Sequence, residues 1–491
     1  MSNHKDIIIL GAGLSGIGTA CHIKRDLPSK DFTILEGRDS MGGTWDLFKY
    51  PGIRSDSDMF TLGYKFKPWT DPKVIADGPS ILSYIKETAE EYDLNSKIEY
   101  NTKILSVDWS SEKSQWTVVC ENSKTNEKLS FTCNYLISCL GYYNYEKGHL
   151  PEFKDREKFK GDFFHPQLWP ENFDYTNKKV VVIGSGATAV TVAPAMADKA
   201  EKVTMLQRSP TYVFSLKNKS LYPKFLKKIL PEKWYYTLNR ATHISIGILQ
   251  YQLSRKKPEM MKKFFIDKVQ KQLPKDFDVA KHFTPKYNPW DERLCAVPEG
   301  DLFKAIRKGK MDIVTDHIDR FTEEGILLKS GNELKADAII SATGLELKMF
   351  GGVDLTLDGI KPDIGDAIVY KGMMIKDVPN FAFVVGYTNA SWTLKADLVA
   401  KYFCKLIQKT DEKGKKVFIP QSDKEIEKAP LMDFQSGYIQ RGIEAGILPH
   451  QGTKAPWNLK QNYIYDALNF NYSKLEDGNM KFYDSLAKAS R

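Results

Sequence analysis

The sequence predicts an α/β protein with two Rossmann-like dinucleotide-binding domains and a helical insertion in the second of them. Two glycine-rich turns predict the domains, because residues 11–16 and 184–189 each lie between a short apolar strand and a helix. The insertion is predicted over residues 213–288, where the alternation of strands and helices stops and prolines separate lysine- and aromatic-rich helical stretches. A chain of 491 residues is long enough for two such domains.

The first turn follows the apolar run at residues 6–10 and begins a helix. Gly11 permits the tight turn, Gly13 lets the backbone approach a pyrophosphate, and Gly16 permits close packing of the helix on the strand. Glu36 ends the next strand, where an acid accepts hydrogen bonds from ribose hydroxyls and repels a 2′-phosphate. This turn therefore predicts a site for FAD or NAD rather than NADP.

The second turn follows the apolar run at residues 179–183, and the next strand ends in Arg208 and Ser209 instead of an acid. A guanidinium and a hydroxyl at that position suit the 2′-phosphate of NADPH. We therefore expect FAD in the first domain and NADPH in the second. A chain with two such sites is suited to passing electrons from one cofactor to the other.

The remaining elements assign the rest of the chain to these domains. Short alternating runs at residues 104–109, 115–121 and 128–131 predict a small antiparallel sheet, and residues 135–141 predict a buried strand that ends in glycine. Residues 312–315 and 325–328 continue the second nucleotide fold, residues 337–344 are interpreted as the return to the first domain, and residues 381–386 lead into a helix from Ser391. The expected domains are FAD-binding at 1–145 and 330–491, NADP-binding at 146–212 and 289–329, and the helical insertion at 213–288.

Composition and charge limit the classes of function. The net charge of +9 is modest for this length and gives no reason to expect a nucleic-acid partner. The chain runs from Met1 into the first strand without a signal peptide, and no apolar run approaches the roughly 20 residues of a membrane span, so we expect a cytoplasmic protein.

The six cysteines form no C-x-x-C pair, and neither a metal-ligand spacing nor a P-loop occurs. The insertion could line a substrate entrance, touch a membrane surface or cover the sheet, and the oligomeric state is left open.

Three longer motifs narrow the prediction. Residues 159–170 have the form F-x-G-x-x-x-H-x-x-x-W-P, and residues 43–56 have the form G-x-W-x-x-x-x-Y-P-G-x-x-x-D. Residues 287–294 read Tyr-Asn-Pro-Trp-Asp-Glu-Arg-Leu. In these motifs the chain resembles the Baeyer–Villiger class (class B) of flavin monooxygenases over nearly its whole length, and within it the branch named for activating thioamide drugs such as ethionamide.

The resemblance implies chemistry that uses FAD, NADPH and O₂. A C4a-peroxyflavin would add to a ketone carbonyl and give an ester or a lactone, and thioether or thioamide sulfur would be a further substrate. Arg293 aligns with the active-site arginine of the family, and a permanently charged guanidinium there would keep the peroxide deprotonated. Asp56 is the candidate partner that orients this guanidinium. Glu292 stands where relatives often have a lysine, so the cofactor contacts of that lysine do not carry over.

The expected catalytic residues are thus Arg293 and Asp56, with no metal ligand. His165 is expected at the joint between the domains rather than as a base. Trp45, Tyr50 and Trp69 could wall the flavin or belong to the core, while Trp392 could line the substrate site or be packing. The expected cofactor contacts, of which Val107 comes only from the resemblance, are Gly11, Gly13, Ser15, Gly16, Glu36, Gly43, Thr44, Trp45, Asp46, Leu47, Arg54, Ser55, Asp56, Val107, Gly184, Ser185, Gly186, Ala187, Thr188, Ala189, Arg208 and Ser209.

Three alternatives stay open at this point. A flavin monooxygenase that oxidises nitrogen or sulfur shares every cofactor feature but does not need Arg293 beside a peroxide anion. An NADPH-dependent flavoprotein reductase is disfavoured by the missing C-x-x-C pair and by the two monooxygenase motifs. A flavoprotein that only senses redox state would be reduced slowly by NADPH.

Overall fold

The structure is a computed structural model that describes residues 3–292, 294–432 and 434–487. Its strands are β1 (His4–Leu10), β2 (Phe32–Leu35), β3 (Ile98–Glu99), β4 (Thr102–Ser110), β5 (Gln115–Asn122), β6 (Lys128–Ser138), β7 (Tyr143–Gly148), β8 (Asp162–Phe164), β9 (Lys179–Ile183), β10 (Lys202–Gln207), β11 (Tyr212–Leu216), β12 (Leu294–Pro298), β13 (Met311–Thr315), β14 (Ile318–Phe321), β15 (Gly325–Leu328), β16 (Glu333–Lys335), β17 (Ala338–Ser341), β18 (Leu345–Leu347), β19 (Asp354–Leu357), β20 (Val369–Tyr370), β21 (Met374–Ile375), β22 (Phe381–Phe383), β23 (Val417–Pro420), β24 (Lys428–Pro430), β25 (His450–Gly452) and β26 (Met480–Tyr483). Its helices are α1 (Leu14–Asp26), α2 (Thr44–Leu47), α3 (Met59–Leu62), α4 (Gly78–Glu91), α5 (Ala187–Met196), α6 (Lys224–Ile229), α7 (Glu232–Lys256), α8 (Pro258–Gln270), α9 (Val279–Phe283), α10 (Asp301–Arg307), α11 (Trp392–Glu412), α12 (Gly437–Glu444) and α13 (Tyr463–Tyr472).

The first sheet has the strand order β19-β4-β5-β6-β1-β2-β3, and β22 also pairs with β6. Strand β1 is parallel to both β2 and β6, and its apolar residues are fully buried because helices and loops cover both faces. The predicted antiparallel strands are confirmed as β4, β5 and the start of β6. The predicted buried strand at 135–141 is the continuation of β6, and the predicted strand at 381–386 contributes β22.

The second sheet is parallel throughout, with the order β13-β10-β9-β17-β8. Strand β17 pairs with β9, so the prediction that residues 337–344 return the chain to the first domain is wrong. The reason is physical: an apolar strand ending in glycine fits the centre of either parallel sheet, and only the pairing with β9 decides between them. The expected boundary at residue 330 therefore moves to the segment after Gly344. There β18 pairs antiparallel with β7 and connects the two sheets.

The insertion is predominantly helical, as predicted, and comprises α6 to α9. Its first residues differ from the prediction, since they form β11, which pairs with β12. Arg240 of α7 is buried and donates to the carbonyl oxygens of Phe60 (2.7 Å) and Gly63 (2.8 Å), and its other terminal nitrogen lies 3.6 Å from Asp397. These contacts hold the insertion against the first domain. None of the described helices combines the length and the apolarity needed to cross a membrane.

The segment after α11 packs around the first sheet through a buried ion pair. Lys395 of α11 lies 2.8 Å from Asp466 of α13, and both side chains are almost completely buried. The Tyr387 hydroxyl donates to the same carboxylate at 2.8 Å. Burial lowers the pKa of Lys395, and the charge of Asp466 opposes this shift. Because breaking a buried pair leaves an uncompensated charge, the network fixes α13 beside Tyr387.

Candidate functional site

The three glycines of the first turn serve different purposes. Gly11 has a φ of +94°, and a Cβ added at Gly16 would lie 1.9 Å from the Gly11 carbonyl oxygen, so the protein's own packing requires both. A Cβ at Gly13 would come no closer than 3.6 Å to Gly43 Cα. Packing therefore does not explain Gly13. The free space at this position fits a pyrophosphate held close to the backbone.

Glu36 lies where the ribose of a dinucleotide is expected. Its carboxylate is buried and accepts hydrogen bonds from the backbone N–H groups of Ala12 (2.8 Å) and Arg38 (3.0 Å). Burial raises the pKa of Glu36, and these two hydrogen bonds oppose the shift. Each carboxylate oxygen keeps a second lone pair. The geometry therefore fits an acceptor for ribose hydroxyls at the end of β2.

The loop between β2 and α3 begins against the first turn. The Gly42 N–H donates to the Ala12 carbonyl at 3.0 Å. Asp46 forms an ion pair with Arg38 at 2.7 Å and accepts from the Ser40 hydroxyl at 2.7 Å. Burial opposes ionisation of Asp46, but the Ser40 hydrogen bond and the Arg38 charge outweigh it, so its pKa lies below the usual value. Asp46 thus fixes the loop rather than pointing into a cavity.

The Tyr-Pro-Gly part of this loop contacts the helix that follows the second turn. Gly52 has a φ of +76°, and a Cβ there would lie 2.6 Å from Ala195 Cβ and 3.0 Å from the Thr191 carbonyl oxygen. The buried Tyr50 hydroxyl is hydrogen-bonded to Thr188, and burial raises the pKa of Tyr50, so the phenol stays protonated. The motif therefore holds the two glycine turns around a common space.

That space is a cavity of about 300 Å³ between the two turns, the first cavity. Predicted cofactor residues that line it are Gly13, Ser15, Gly43, Thr44, Trp45, Arg54, Ser55, Asp56 and Ala187. Predicted residues outside its lining are Gly11, Gly16, Glu36, Asp46, Leu47, Val107, Gly184, Ser185, Gly186, Thr188, Ala189, Arg208 and Ser209. Val107 is buried within the core of the first sheet, so an adenine contact there stays a prediction.

In the second turn, as in the first, packing requires one glycine and leaves open space at another. Gly184 has a φ of +132°, and a Cβ there would lie 2.4 Å from the Ala342 carbonyl oxygen, whereas a Cβ at Gly186 would meet nothing within 4 Å. The Ser185 hydroxyl donates to the Ser209 carbonyl at 3.0 Å. Arg208 is exposed just after β10. The open space at Gly186 and the exposed guanidinium fit a nucleotide with a 2′-phosphate.

Glu292 is a neighbour of this second site. Burial raises its pKa, and the charge of Arg208 opposes the shift. The residue that replaces the lysine of many relatives is therefore an acid close to the cation predicted to bind the phosphate. A direct lysine-type contact with the nucleotide is excluded at this position.

The predicted catalytic pair is described only in part, because Arg293 lies outside the described residues. Its neighbours border two cavities, since Cys295 and Ala296 line the first and Leu294 lines a second. Asp56 lines both. Arg54 also lines the first cavity but forms an ion pair with Asp301, the first residue of α10. Asp56 is thus the acid at the place where the two cavities meet.

The second cavity has a volume of about 600 Å³ and lies between α7, β11 and the segments before α11 and α13. Its α7 wall is largely apolar and includes Ile244, Ile248 and Tyr251. Thr388 and Ala390 border both cavities. The insertion therefore contributes a largely apolar wall to a space that borders the first cavity.

Aromatic side chains wall the first cavity, and sequence reasoning identified only some of them. Trp45, Tyr50 and Trp392 line it, whereas Trp69 lies outside the lining and packs against Tyr84 in the core of the first domain. The Trp392 indole N–H donates to the Ser15 hydroxyl at 2.8 Å. The tyrosines missed by sequence reasoning are Tyr142, Tyr143 and Tyr145. The aromatic run directly after the strand-ending Gly141 was the signal that could have identified them.

His165 is buried and borders neither cavity. Its Nδ1 accepts from the Gln167 N–H at 3.1 Å, so its Nε2 carries the proton and donates to the Gly344 carbonyl at 2.9 Å. Gly344 connects β17 to β18, where the chain leaves the second sheet. These contacts support the predicted position at the joint between the domains.

We expect the His165 contacts to make stability dependent on pH. Burial lowers the pKa of His165 below its usual value, so the unfolded chain binds more protons between the folded pKa and about 6.5. The stabilisation is therefore complete above that range and is lost as the pH falls through it. From about pH 7.5 to about pH 5.5, the melting temperature of the wild type should fall more than that of His165→Gln. If the melting temperatures of the wild type and of His165→Gln fell equally over this pH range, the assignment would be contradicted.

Comparisons with known proteins identify the family of this chain. Residues 4–385 match the family described as flavin-binding monooxygenase-like. The chain is 49% identical over 484 residues to the FAD-containing monooxygenase EthA of Mycobacterium tuberculosis, with 98% of both chains covered. It is 47% identical over 485 residues to the probable FAD-binding monooxygenase AlmA of Acinetobacter baylyi, with 98% of this chain and 97% of the other covered.

Solved structures share the fold at low sequence identity. A steroid monooxygenase bound to NADP aligns with a TM-score of 0.76 and 20% identity, covering 98% of this chain and all of that one. A cyclohexanone monooxygenase with bound epsilon-caprolactone aligns with a TM-score of 0.74 and 18% identity, covering 98% of this chain and 99% of the other. The predicted architecture of two Rossmann-like domains is confirmed.

Proposed function

Because this chain belongs to the flavin-binding monooxygenase-like family, we propose that it is an FAD- and NADPH-dependent monooxygenase of the Baeyer–Villiger type. It inserts one oxygen atom of O₂ beside a ketone carbonyl and gives an ester or a lactone. The observation that carries this proposal is the arrangement of the cavities. Gly13 and Ser15 of the first turn and Ala187 of the second turn line one cavity, and Asp56 lies where this cavity meets the second one.

The residues present fit both cofactors. FAD would be held by the first turn at Gly13 and Ser15, by Glu36, and by the loop that starts at Gly43, while NADPH would be held by the second turn and Arg208. The open space at Gly13 and Gly186 is the structural support for this assignment, because no packing in the protein requires glycine there. Bound there, FAD would use electrons from NADPH to activate O₂, and O₂ would provide the oxygen atom that is transferred.

The chain's own residues bind the substrate and control its surroundings. Arg293 supplies a permanent positive charge that stabilises the negative charge formed on oxygen when the carbonyl is attacked. Asp56 orients this guanidinium. Trp392 helps to exclude water from the cavity. It is fixed by its hydrogen bond to Ser15 and stacks on Tyr142, with 5.5 Å between the ring centroids. Tyr50 stays protonated and therefore adds no charge that competes with Arg293.

A thiol relay is the least suitable alternative for this site. Cys139 lines the first cavity, but burial raises its pKa to about 12. It is therefore a neutral thiol at physiological pH, whereas a relay requires a thiolate. All six cysteines are free and buried.

The test is a product analysis with purified, FAD-loaded protein, NADPH and separate linear, cyclic and aromatic ketones. We expect an ester or a lactone, formed together with NADPH consumption, and a thioether in parallel reactions measures sulfur oxidation. Sulfoxide without any ester would assign the protein to the class that oxidises nitrogen or sulfur. NADPH consumption that reduces an added acceptor but never oxygenates either substrate would assign it to the reductases.

A further inference from the structure

The helices over the second cavity expose an unusually apolar surface. Nine of the fifteen large hydrophobic side chains exposed in the described part of the chain fall within residues 221–264. Most of them lie on or beside α6 and α7, and Trp234 is 68% exposed. We define the α6–α7 face as Leu221, Phe225, Ile229, Trp234, Leu238, Ile246 and Leu249. Exposed apolar side chains concentrated in this way mark an interaction surface, whereas scattered ones do not.

The face is continuous along α7. At about 100° per residue, Trp234, Leu238, Ile246 and Leu249 fall within about a third of the helix circumference. Residues 241–254 contain no lysine, arginine, aspartate or glutamate. The exposed side of this part of α7 therefore carries no formal charge over nearly four turns.

The α6–α7 face is also continuous with the second cavity. Leu221 is 54% exposed and Ile246 is 48% exposed, and both line that cavity. They mark the place where the apolar lining reaches the surface. Two side chains of the exposed apolar face thus border the second cavity, which shares Thr388 and Ala390 with the first cavity.

Positive charge flanks the apolar side chains. Lys227, Lys228 and Lys233 are exposed on α6 and at the start of α7, and Lys217 and Lys219 border the opening as part of the cavity lining. An apolar face flanked by lysines fits the surface of an anionic membrane. Apolar side chains can insert among the acyl chains, and the negatively charged headgroups attract the lysines. A protein partner would need matching acidic groups around its own apolar patch.

We propose that the α6–α7 face docks on an anionic lipid bilayer and that the second cavity opens onto it. The α7 helix lies along the surface and does not cross the membrane. A lipophilic ketone then passes from the bilayer through the second cavity to the first, a step that rests on the proposed function. Docking itself does not depend on catalysis.

The test is flotation of the FAD-loaded protein with vesicles. We expect binding to vesicles that contain phosphatidylglycerol, weak binding to pure phosphatidylcholine, and a decrease with added salt. Trp234→Ser should lower the partition coefficient by about tenfold, because a large apolar side chain leaves the interface. Lys228→Glu combined with Lys233→Glu should lower it by at least about 25-fold, since each lysine near an anionic surface contributes about fivefold.

Matched variants elsewhere on the protein are the controls. Ile360 is 73% exposed but lies outside the α6–α7 face, so Ile360→Ser should bind vesicles like the wild type. The exposed lysines of the β5–β6 hairpin, changed together as Lys124→Glu and Lys128→Glu, control for net charge. In each variant, FAD content and melting temperature confirm the fold.

Three outcomes would overturn the proposal. They are no flotation of the wild type with either vesicle, equal flotation of Trp234→Ser and wild type, or a dimer in sedimentation analysis that Trp234→Ser disperses while vesicles are not bound. Catalysis is read out separately. Trp234→Ser should keep its activity on a short water-soluble ketone and lose activity on a long-chain ketone supplied in vesicles. If no ketone is oxygenated but flotation follows the expected pattern, the proposed function fails and the membrane surface stands.

Discussion

Arg293→Ala is expected to retain FAD and to lose ketone oxygenation by about a hundredfold or more, the usual cost of removing a group that stabilises charge in the transition state. The residues that follow Arg293 border both cavities, since Cys295 and Ala296 line the first and Leu294 lines the second. Asp56 borders both. The assignment requires the cation to act on the reacting oxygen and not on cofactor binding. Flavin absorbance and ester yield therefore separate the two roles.

The matched variant for this prediction is Arg293→Lys. It keeps a positive charge but not the planar, bidentate guanidinium, so we expect activity between those of the wild type and the alanine variant. NADPH should still be consumed by Arg293→Ala, with hydrogen peroxide replacing the ester as the product. An alanine variant that forms ester at the normal rate would contradict the role of Arg293.

Gly16→Ala is expected to prevent stable folding of the FAD-binding domain. The added Cβ would lie 1.9 Å from the Gly11 carbonyl oxygen. Gly11 cannot move away easily, because it has a φ of +94° and lies close to the Cys139 carbonyl. Overpacking against backbone should cost about 3 kcal/mol of unfolding free energy. Urea unfolding of the apoprotein and the yield of folded protein measure this effect.

Gly13→Ala is the matched control for Gly16→Ala. Its Cβ would meet no protein atom closer than 3.6 Å, so the apoprotein should unfold like the wild type. FAD affinity should nevertheless fall by at least about tenfold, or about 1.4 kcal/mol, because the methyl group occupies the approach of the pyrophosphate. Normal FAD affinity in Gly13→Ala, or normal stability in Gly16→Ala, would show that the glycines have been assigned wrongly.

Sequence reasoning predicted the parts of this protein that depend on local chemistry. The turns at Gly11 and Gly184 were recognisable because positive φ and close helix–strand packing impose glycine at fixed spacings. Glu36 and Arg208 follow the second strand of their domains, as the sequence predicted, and their contacts with the two cofactors stay predictions. These predictions depended on short-range geometry alone.

The predictions that failed or were missed depend on long-range packing. Strand β17 was assigned to the wrong sheet because its apolar sequence fits either one, and only its register against β9 distinguishes them. The hydrogen bond from Trp392 to Ser15 and the contact of Gly52 with α5 join residues far apart in the chain. No local pattern at either end reveals such a partner.

The measurement that tests the central claim most directly is the fate of isotopically labelled O₂ during turnover of a ketone with NADPH. We expect one labelled oxygen atom in the ester and the other in water, with one NADPH consumed for each ester formed. An ester without the label, or labelled hydrogen peroxide as the only oxygenated product under all conditions, would contradict the proposed monooxygenase.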